Sequence, residues 1–279
     1  MSADPFFSII TCTYNPGACV AECIASVEGQ RFRDYEHLFI DGFSTDSSPE
    51  IIGEYAGRDP ERVHVFRSPA QGVSRAMNEG IERARGEVIL HLHGDDKLFD
   101  EGVLGRVHAL FMKHGPALVM GNCQLTGHAT VNRTWPDNRI ARFITRHCMP
   151  MMMFLTNPIA HPSTYVSRAV FERNGKFDEK YRVVMDYEFW FRILKREKFY
   201  TTDELLSVYH FHADTISTKQ MELGLNEIEE IRSRYRFSYP LSYLISLFFF
   251  RPVLFVRRVL VSMLKWYSVV PLTRTHLSS

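Results

Sequence analysis

Two adjacent aspartates, Asp95 and Asp96, come directly after a short apolar run, Glu87–His93, and a glycine. An apolar run of this length with aliphatic residues predicts a buried β-strand. Carboxylates at the end of that strand would lie at the edge where open α/β sheets bind their ligands. Carboxylate oxygens suit a hard divalent cation, which commonly holds a phosphate-bearing substrate. The pair therefore indicates a metal-assisted site for a phosphorylated ligand.

Strand-like and helix-like segments alternate through the first half of the chain and would position these acids. The predicted strands are Phe6–Thr13, Glu36–Asp41, Arg62–Arg67 and Glu87–His93, and the predicted helices are Gly17–Gln30, Ser44–Ala56 and Val73–Arg85. This alternation of four strands with helices through short links predicts an α/β fold, with a mostly parallel sheet and helices on both faces.

The second half of the chain is less regular. It contains the predicted strands Ala117–Asn122 and Leu205–Phe211 and the predicted helices Asp186–Glu197 and Gly224–Arg236. Residues 124–157 show no clear period, so this stretch either covers a substrate or connects two elements.

Composition limits the classes of protein and the compartments that are compatible with the chain. The 279 residues suffice for one large domain or two small ones, and the net charge of +1 gives no indication of a nucleic-acid partner. Five cysteines without a Cys-x-x-Cys pair favour a reducing compartment over a disulfide framework or a zinc site. The first residues lack a basic segment followed by an apolar one, so we expect no secretion signal.

Polar residues follow the first two predicted strands at the same edge as Asp95. After the first strand, the Tyr14 ring could stack on a base and Asn15 offers both donors and acceptors, although Asn-Pro-Gly also forms a turn by itself. The second strand ends at Asp41, whose carboxylate can accept the imide N–H of uracil. Ser44 can cap the following helix.

The third predicted helix opens on a glycine and carries residues that are unusual inside a helix. Gly72 permits close backbone approach, and Arg75 near the helix start could reach a phosphate. Asn78 and Gly80 disfavour a helix interior, so they indicate either close packing or a kink.

The order of these motifs resembles the family-2 glycosyltransferases, of the type that builds bacterial cell-surface polysaccharides. The shared motifs are Thr-x-Thr-Tyr-Asn, Asp-Gly-x-Ser-x-Asp, Ala-Met-Asn-x-Gly-Ile, Ala-x-Gly-Glu and Asp-Asp, and the resemblance runs from about Phe7 to His212. It implies a GT-A fold, which is Rossmann-like, a nucleotide-sugar donor and inversion at the anomeric carbon.

The resemblance also implies roles for residues of the first half. Asp41 would read uracil, and Asp95 would be the metal-binding acid of the family's Asp-x-Asp motif, holding Mg²⁺ or Mn²⁺. His93 replaces the first acid of that motif and either binds the ribose or packs. Asp96 would lie near the metal or the acceptor. The donor-binding set is Thr13, Tyr14, Asn15, Asp41, Ser44, Gly72, Arg75, Asn78, His93, Asp96 and His161.

The second half would supply the strand beneath the donor sugar, His161–Val166, and the general base. Asp186 would be that base, with Met185 in place of the usual preceding acid, because inverting transfer needs one group to take the acceptor's proton. The alternative for Asp186 is an N-cap. His212 would be a second metal ligand, in preference to His210, although a lone histidine is also often a core residue.

The C-terminal region is basic and apolar. Arg251, Arg258 and Lys265 are among the cations that interrupt the apolar stretch Leu241–Val270, which favours an interfacial amphipathic helix over a simple span. We therefore expect residues 239–270 to contact a membrane; the alternatives are docking on the chain's own domain or pairing with a second copy in a homodimer. The expected units are a glycosyltransferase domain at 1–218, with a nucleotide-sugar half at 1–115 and an acceptor half at 116–218, and C-terminal helices at 219–279.

These inferences combine into one expected function. A metal-assisted, inverting enzyme would transfer sugar from a UDP-sugar to a glycan or lipid-linked acceptor, in the cytoplasm at the inner face of the cell membrane. A nucleotidyltransferase is one alternative, although its basic, glycine-rich first loop is missing from Thr11–Gly17. An inactive sugar-nucleotide-binding scaffold is the other, because Met185 and His93 depart from the family pattern.

Overall fold

The structure is a computed structural model that describes residues 4–126, 131–133, 148–210 and 220–247, with backbone alone at 131–133. The described strands are β1 (Phe7–Thr13), β2 (Tyr35–Asp41), β3 (Val63–Arg67), β4 (Val88–His91), β5 (Lys97–Leu98), β6 (Leu118–Thr126), β7 (Val131–Arg133), β8 (Thr164–Ser167) and β9 (Phe199–His210). The described helices are α1 (Cys19–Glu28), α2 (Ser48–Arg58), α3 (Val73–Arg83), α4 (Val103–His114), α5 (148–155), α6 (Arg168–Asn174), α7 (Met185–Ile193), α8 (Met221–Tyr235) and α9 (240–247).

The first four strands form the parallel part of the sheet, in the spatial order β3-β2-β1-β4. Their register places Thr13 beside Asp41 and Asp41 beside Arg67, so three strand ends share one edge. Helix α3 lies so close to β1 that a Cβ added to Gly80 would be 2.3 Å from a methyl carbon of Ile10. Close packing, one of the two readings of Gly80 from the sequence, is therefore its structural explanation.

The rest of the sheet is mixed. Strand β8 lies antiparallel to both β4 and β6, β9 runs parallel to β6, and β5 closes the order antiparallel to β9. Because β8 runs opposite to β4, the 3₁₀ turn His161–Ser163 that precedes it lies beside the carboxyl end of β4. This reversal brings the second half of the chain to the edge formed by the first half.

Apolar side chains cover both faces of the sheet. Along β1, Phe7 and Ile9 pack with α1 and α4 on one face, whereas Ile10 packs with α3 and α7 on the other. This alternation follows from the two-residue period of a strand, and it buries both faces as a parallel sheet requires.

The last described helices pack on α7. Ile231 of α8 is fully buried in the same core as Trp190 of α7, and the Tyr239 hydroxyl donates to the carbonyl oxygen of Phe191 at 2.9 Å. Residues 220–247 thus pack on the preceding residues. The expected membrane contact of residues 239–270 stays a prediction, since most of them lie outside the described residues. The unit boundary at 218 itself stays a prediction.

The predicted α/β fold class with helices on both faces is confirmed. The sequence-based elements correspond to β1–β4, β6, β9, α1–α3, α7 and α8, with ends that differ by a few residues. Strand β9 begins six residues earlier than expected, and the stretch without a clear period contains helix 148–155, which buries Met149 and Met153. No helix in the described ranges is long and apolar enough to cross a membrane.

Candidate active site

Asp41 is fixed at the end of β2 by contacts from both neighbouring strands. Its carboxylate accepts hydrogen bonds from Thr13 Oγ1 and from Arg67 Nε, each at 3.2 Å, and from the backbone N–H of Ser44. The side chain is almost fully buried, whereas that of Arg67 is half exposed. The guanidinium and the two other donors hold the carboxylate in place at this edge.

The loop after β1 and the loop after β2, both next to Asp41, are hydrogen-bonded to one another. The backbone N–H of Asn15 donates to Ser44 Oγ at 2.9 Å, and the N–H of Thr45 donates to Asn15 Oδ1 at 2.8 Å. Asn15 adopts a left-handed φ of 51°, a conformation that Asn tolerates better than most residues. Asn15 and Ser44 therefore shape the loops through their own hydrogen bonds.

Two aromatic rings stand exposed on these loops. Tyr14 is 65% exposed and Phe43 is 49% exposed, and a Cβ on Gly42 would come within 3.2 Å of the Tyr14 ring. Exposed rings beside a fixed acid can stack on a nucleobase while the acid accepts its N–H. Phe43 was missed by the sequence analysis, although an aromatic residue in a turn directly after a strand is a detectable signal.

Helix α3 places its predicted donor-binding residues in two different environments. Gly72 precedes the helix with a φ of 103°, and Arg75 is exposed in the first turn. The amide of Asn78 is occupied by the following half of the chain, since its Nδ2 donates to the Phe177 carbonyl and its Oδ1 accepts the Phe177 N–H. Asn78 thus connects two parts of the protein, whereas Arg75 is available to an anion.

Asp95 and Asp96 differ sharply in their surroundings. Asp96 is 1% exposed, and neither of its carboxylate oxygens has a hydrogen-bond partner of ordinary geometry among the described residues. Burial, with the neighbouring charge of Asp95 second, raises the pKa of Asp96 well above its usual range. Asp95 is only partly buried and lies close enough to His93 to affect its charge.

Three histidines gather beside these acids. The His161 ring lies 5.4 Å from that of His91 and 6.1 Å from that of His93, between ring centroids. Burial and the neighbouring His161 lower the pKa of both His91 and His93, so both rings are held in the neutral form. A neutral imidazole at His93 can donate or accept a hydrogen bond with a sugar hydroxyl.

Asp186 is the second residue of α7, and its carboxylate lies beside the same histidines. Its Oδ1 accepts the Tyr187 N–H at 2.8 Å, while Oδ2 lies 3.4 Å from Asn157 Nδ2 and 3.5 Å from His161 Nδ1. The helix begins at Met185, with Val184 at the cap position, so the N-cap alternative for Asp186 is wrong by two residues. Asn157 was missed because it lies in a stretch without a clear pattern.

His212 lies outside the described residues, and His210 is exposed at the end of β9, with Nδ1 3.1 Å from Thr126 Oγ1. No group of three or more His, Cys, Asp or Glu side chains is arranged to hold a metal within the ranges that the structure covers. The buried carboxylate of Asp96 beside Asp95 nevertheless fits a hard cation, since neither oxygen makes a hydrogen bond of ordinary geometry with the described residues. Mg²⁺ is typically held by one or two carboxylates while substrate phosphates and water complete its shell.

A parallel sheet in the first half of the chain joined to a mixed sheet in the second half is typical of the GT-A fold. The profile described as Glycosyl transferase family 2 matches residues 8–201, and the chain belongs to this family. A PGL/p-HBAD biosynthesis glycosyltransferase of Mycobacterium bovis is 32% identical over 188 residues, which cover 67% of this chain and 69% of that protein. The chain is accordingly a glycosyltransferase.

Solved structures confirm the fold at low sequence identity. S. aureus TarS in complex with UDP-GlcNAc superposes with a TM-score of 0.62 at 17% identity, covering 81% of this chain and 66% of that one. The mannosyltransferase PcManGT from Pyrobaculum calidifontis, in complex with GDP-Man and Mn²⁺, gives a TM-score of 0.60 at 14% identity, covering 84% and 64%. The chain thus spans about two thirds of the length of these structural neighbours.

Proposed function

We propose that this enzyme transfers a sugar from a UDP-sugar to a glycan or lipid-linked acceptor with inversion, using Asp186 as the general base. The observation that carries the proposal is the position of His161. Its ring lies 6.1 Å from that of His93, two residues before Asp95, and 3.5 Å from Asp186. One side chain therefore connects the donor edge of the sheet with the base.

The donor assignment rests on the strand ends. A uracil ring would stack against Tyr14 and Phe43 and donate its imide N–H to Asp41. The charged state of Asp41, supported by Arg67, favours an N–H donor over a carbonyl at that position. Arg75 at the start of α3 would contact the diphosphate, and Thr13 would support Asp41 from the neighbouring strand.

The chemistry divides between the two sides of the sugar. Asp186 takes the proton of the acceptor hydroxyl on the face opposite the diphosphate, because inversion requires attack in line with the departing group. The carboxylate keeps one oxygen on the Tyr187 N–H, which orients the other toward Asn157 and His161. The transition state is oxocarbenium-like, as in glycoside hydrolysis.

A divalent cation, Mg²⁺ or Mn²⁺, would neutralise negative charge on the departing diphosphate. Asp95 would hold it, with Asp96 beside it and His212 as a further ligand. Family membership and the PcManGT complex with Mn²⁺ support this assignment. Binding of a cation would also supply a partner for the carboxylate of Asp96, which is buried at a cost without one.

The acceptor side is proposed to face an anionic membrane at the cytoplasmic surface. Phe237, Leu241 and Leu244 are exposed on one side of α9 and the turn before it, while Tyr239 on the other side is buried. Exposed Lys195 and Arg196 line a cleft of about 450 Å³ between α7 and α8, where Lys195 Nζ lies 4.2 Å from the centre of the Tyr239 ring. Apolar side chains with a cationic rim match the interfacial region of an anionic bilayer.

Thermal stabilisation by nucleotide sugars tests the proposal directly, because a ligand that binds the folded state raises the melting temperature by mass action. UDP-sugars with Mg²⁺ or Mn²⁺ should raise it most, and Asp95→Asn should remove the dependence on the metal. Asp100→Asn, which changes an exposed acid after β5, is the matched control. Equal stabilisation by GDP- and UDP-sugars would contradict the donor assignment.

A further inference from the structure

Glu227 on α8 binds the backbone that leads into the helix of the proposed base. It is 7% exposed, and its carboxylate accepts three backbone N–H groups: Oε1 from Arg182 at 2.8 Å, and Oε2 from Val183 at 3.0 Å and Val184 at 3.1 Å. Asp186 follows Val184 by two residues. The last of the three hydrogen bonds is therefore two residues before the proposed base.

Nothing in the first turn of α7 replaces these contacts. Val184 occupies the cap position and its apolar side chain cannot accept a hydrogen bond. A carboxylate that accepts several backbone N–H groups forms charge-assisted bonds, and negative charge is favourable near a helix N-terminus. Gly224, one turn earlier in α8, allows the close approach, since a Cβ there would lie 3.1 Å from a methyl carbon of Val183.

The same backbone segment is held from its other side by α3, the helix of the nucleotide half. Ser74 Oγ donates to the Tyr181 carbonyl at 2.5 Å, and Asn78 exchanges hydrogen bonds with the backbone of Phe177. Residues 177–184 are thus bound between α3 and α8. A shift on either side would change the direction of the Asp186 side chain.

We propose that Glu227 is a positioning residue that sets the orientation of Asp186 for proton transfer. The inference rests on the proposed function, since it assumes that Asp186 is the base. Glu227 fixes the backbone from Arg182 to Val184, which fixes the first turn of α7. Proton abstraction requires the carboxylate oxygen within hydrogen-bond distance of the acceptor hydroxyl, so a small displacement reduces the rate of the chemical step without reducing donor binding.

The experiment compares Glu227→Ala and Glu227→Gln with two control variants of the same helix. Glu229→Gln changes an exposed carboxylate of the same helix, which pairs with Arg232 on that helix at 4.0 Å. Ile231→Val loosens the packing of α8 and removes no hydrogen bond to residues 182–184. For each variant kcat, the donor KM, the donor Kd and the melting temperature are measured.

We expect kcat to fall about 100-fold in Glu227→Ala and about 10-fold in Glu227→Gln, which keeps one accepting oxygen, with donor Kd unchanged within about two-fold. Both controls should keep kcat within about two-fold of the parent protein. If Glu227→Ala fails to fold, Glu227→Gln decides. A Glu227→Gln kcat equal to that of either control would overturn the inference.

The two proposals fail in different ways. Activity retained in Asp186→Asn would remove the proposed base, whatever Glu227 does. An inactive Asp186→Asn together with normal kcat in the folded Glu227 variants would leave the base in place and reject only the positioning role.

Discussion

Nδ1 of His161 lies 3.5 Å from Oδ2 of Asp186, and both side chains are largely shielded from solvent. The two residues belong to different elements, a 3₁₀ turn before β8 and the first turn of α7. An imidazole at this distance can hold the carboxylate in one orientation. The contact gives the proposed base a direct partner on the donor side.

Replacement of the base should separate chemistry from binding. Asp186→Asn keeps the shape of the side chain but cannot accept a proton, so kcat should fall by about 10³-fold, within the range of general acid–base catalysis. Donor Kd, measured by calorimetry, should stay within about two-fold because the donor edge is unchanged. Activity close to that of the parent protein would show that another group is the base.

Replacement of His161, the contact of Asp186, should also lower kcat, but by less than replacement of Asp186 itself. His161→Asn leaves Asp186 with its Tyr187 and Asn157 contacts, so kcat should fall about 10-fold, less than the roughly 100-fold that follows a displacement of about 1 Å. His108→Asn, which changes a histidine on α4 that packs against Phe6 and Phe32, is the control. If donor KM rises instead while kcat is unchanged, His161 acts in donor binding alone.

Recognition of the uracil ring by Asp41 can be tested by comparison with a neighbouring acid, Asp46. Asp41→Asn should weaken UDP binding by about 10- to 100-fold, because a hydrogen bond to a charged group contributes about 1.5–3 kcal/mol. Asp46→Asn changes a loop contact to the Gly17 N–H and leaves the proposed uracil position unchanged. It should therefore weaken UDP binding much less. Equal losses in the two variants would indicate that Asp41 acts only by shaping the loops.

Membrane binding should depend on the exposed stripe and its cationic rim. The triple change Phe237→Ser, Leu241→Ser and Leu244→Ser should reduce co-sedimentation with phosphatidylglycerol vesicles at least about 10-fold, since each large apolar side chain contributes about 1.5–3 kcal/mol when fully buried. The double change Lys195→Gln and Arg196→Gln should weaken the free energy of vesicle binding by about 2 kcal/mol, since each cation near an anionic surface contributes about 1 kcal/mol.

Met112 supplies the matched control for this surface, because it is exposed on α4 and outside the stripe. Met112→Ser should leave vesicle binding unchanged. Vesicle binding that survives the triple change would place the membrane contact elsewhere, and a loss of oligomer with no change in vesicle binding would identify the stripe as a contact between two copies.

Buried neutral histidines should make the fold sensitive to acid. Burial lowers the pKa of His37 to about 3, and burial first, then His161, lowers that of His91. The unfolded chain binds a proton at each near pH 6.5 while the folded protein does not, so their contribution is complete above pH 6.5 and is lost as the pH falls toward the folded pKa. Between pH 6.5 and pH 5 the free energy of unfolding should fall by about 2 kcal/mol through His37.

Denaturant unfolding at pH 7.5, 6.5 and 5 measures this slope. His37→Gln should flatten it, whereas His64→Gln, a change on β3 at a less buried position, should leave it unchanged. A slope that is the same in all three proteins would show that His37 is not the source of the acid sensitivity.

Much of the donor edge could be predicted from the sequence because it depends on local patterns. Apolar runs identified the strands, and short links between strands and helices implied a parallel sheet, so polar residues after successive strands had to meet at one edge. Thr13, Asp41 and Asp95 follow from this rule. The assignment of Asn78 to the donor could not be checked this way, since its amide partner Phe177 lies 99 residues further along the chain.

The sequence by itself determined the class of fold, the family and the strand-end acids, because hydrophobic periodicity and motif order are properties of short segments. Only the tertiary structure decided which distant residues meet. The antiparallel strand β8 brings His161 beside β4, and α8 brings Glu227 to the backbone before Asp186. These contacts depend on strand direction and helix packing, which are set by the burial of the whole core and leave no signal in the local sequence.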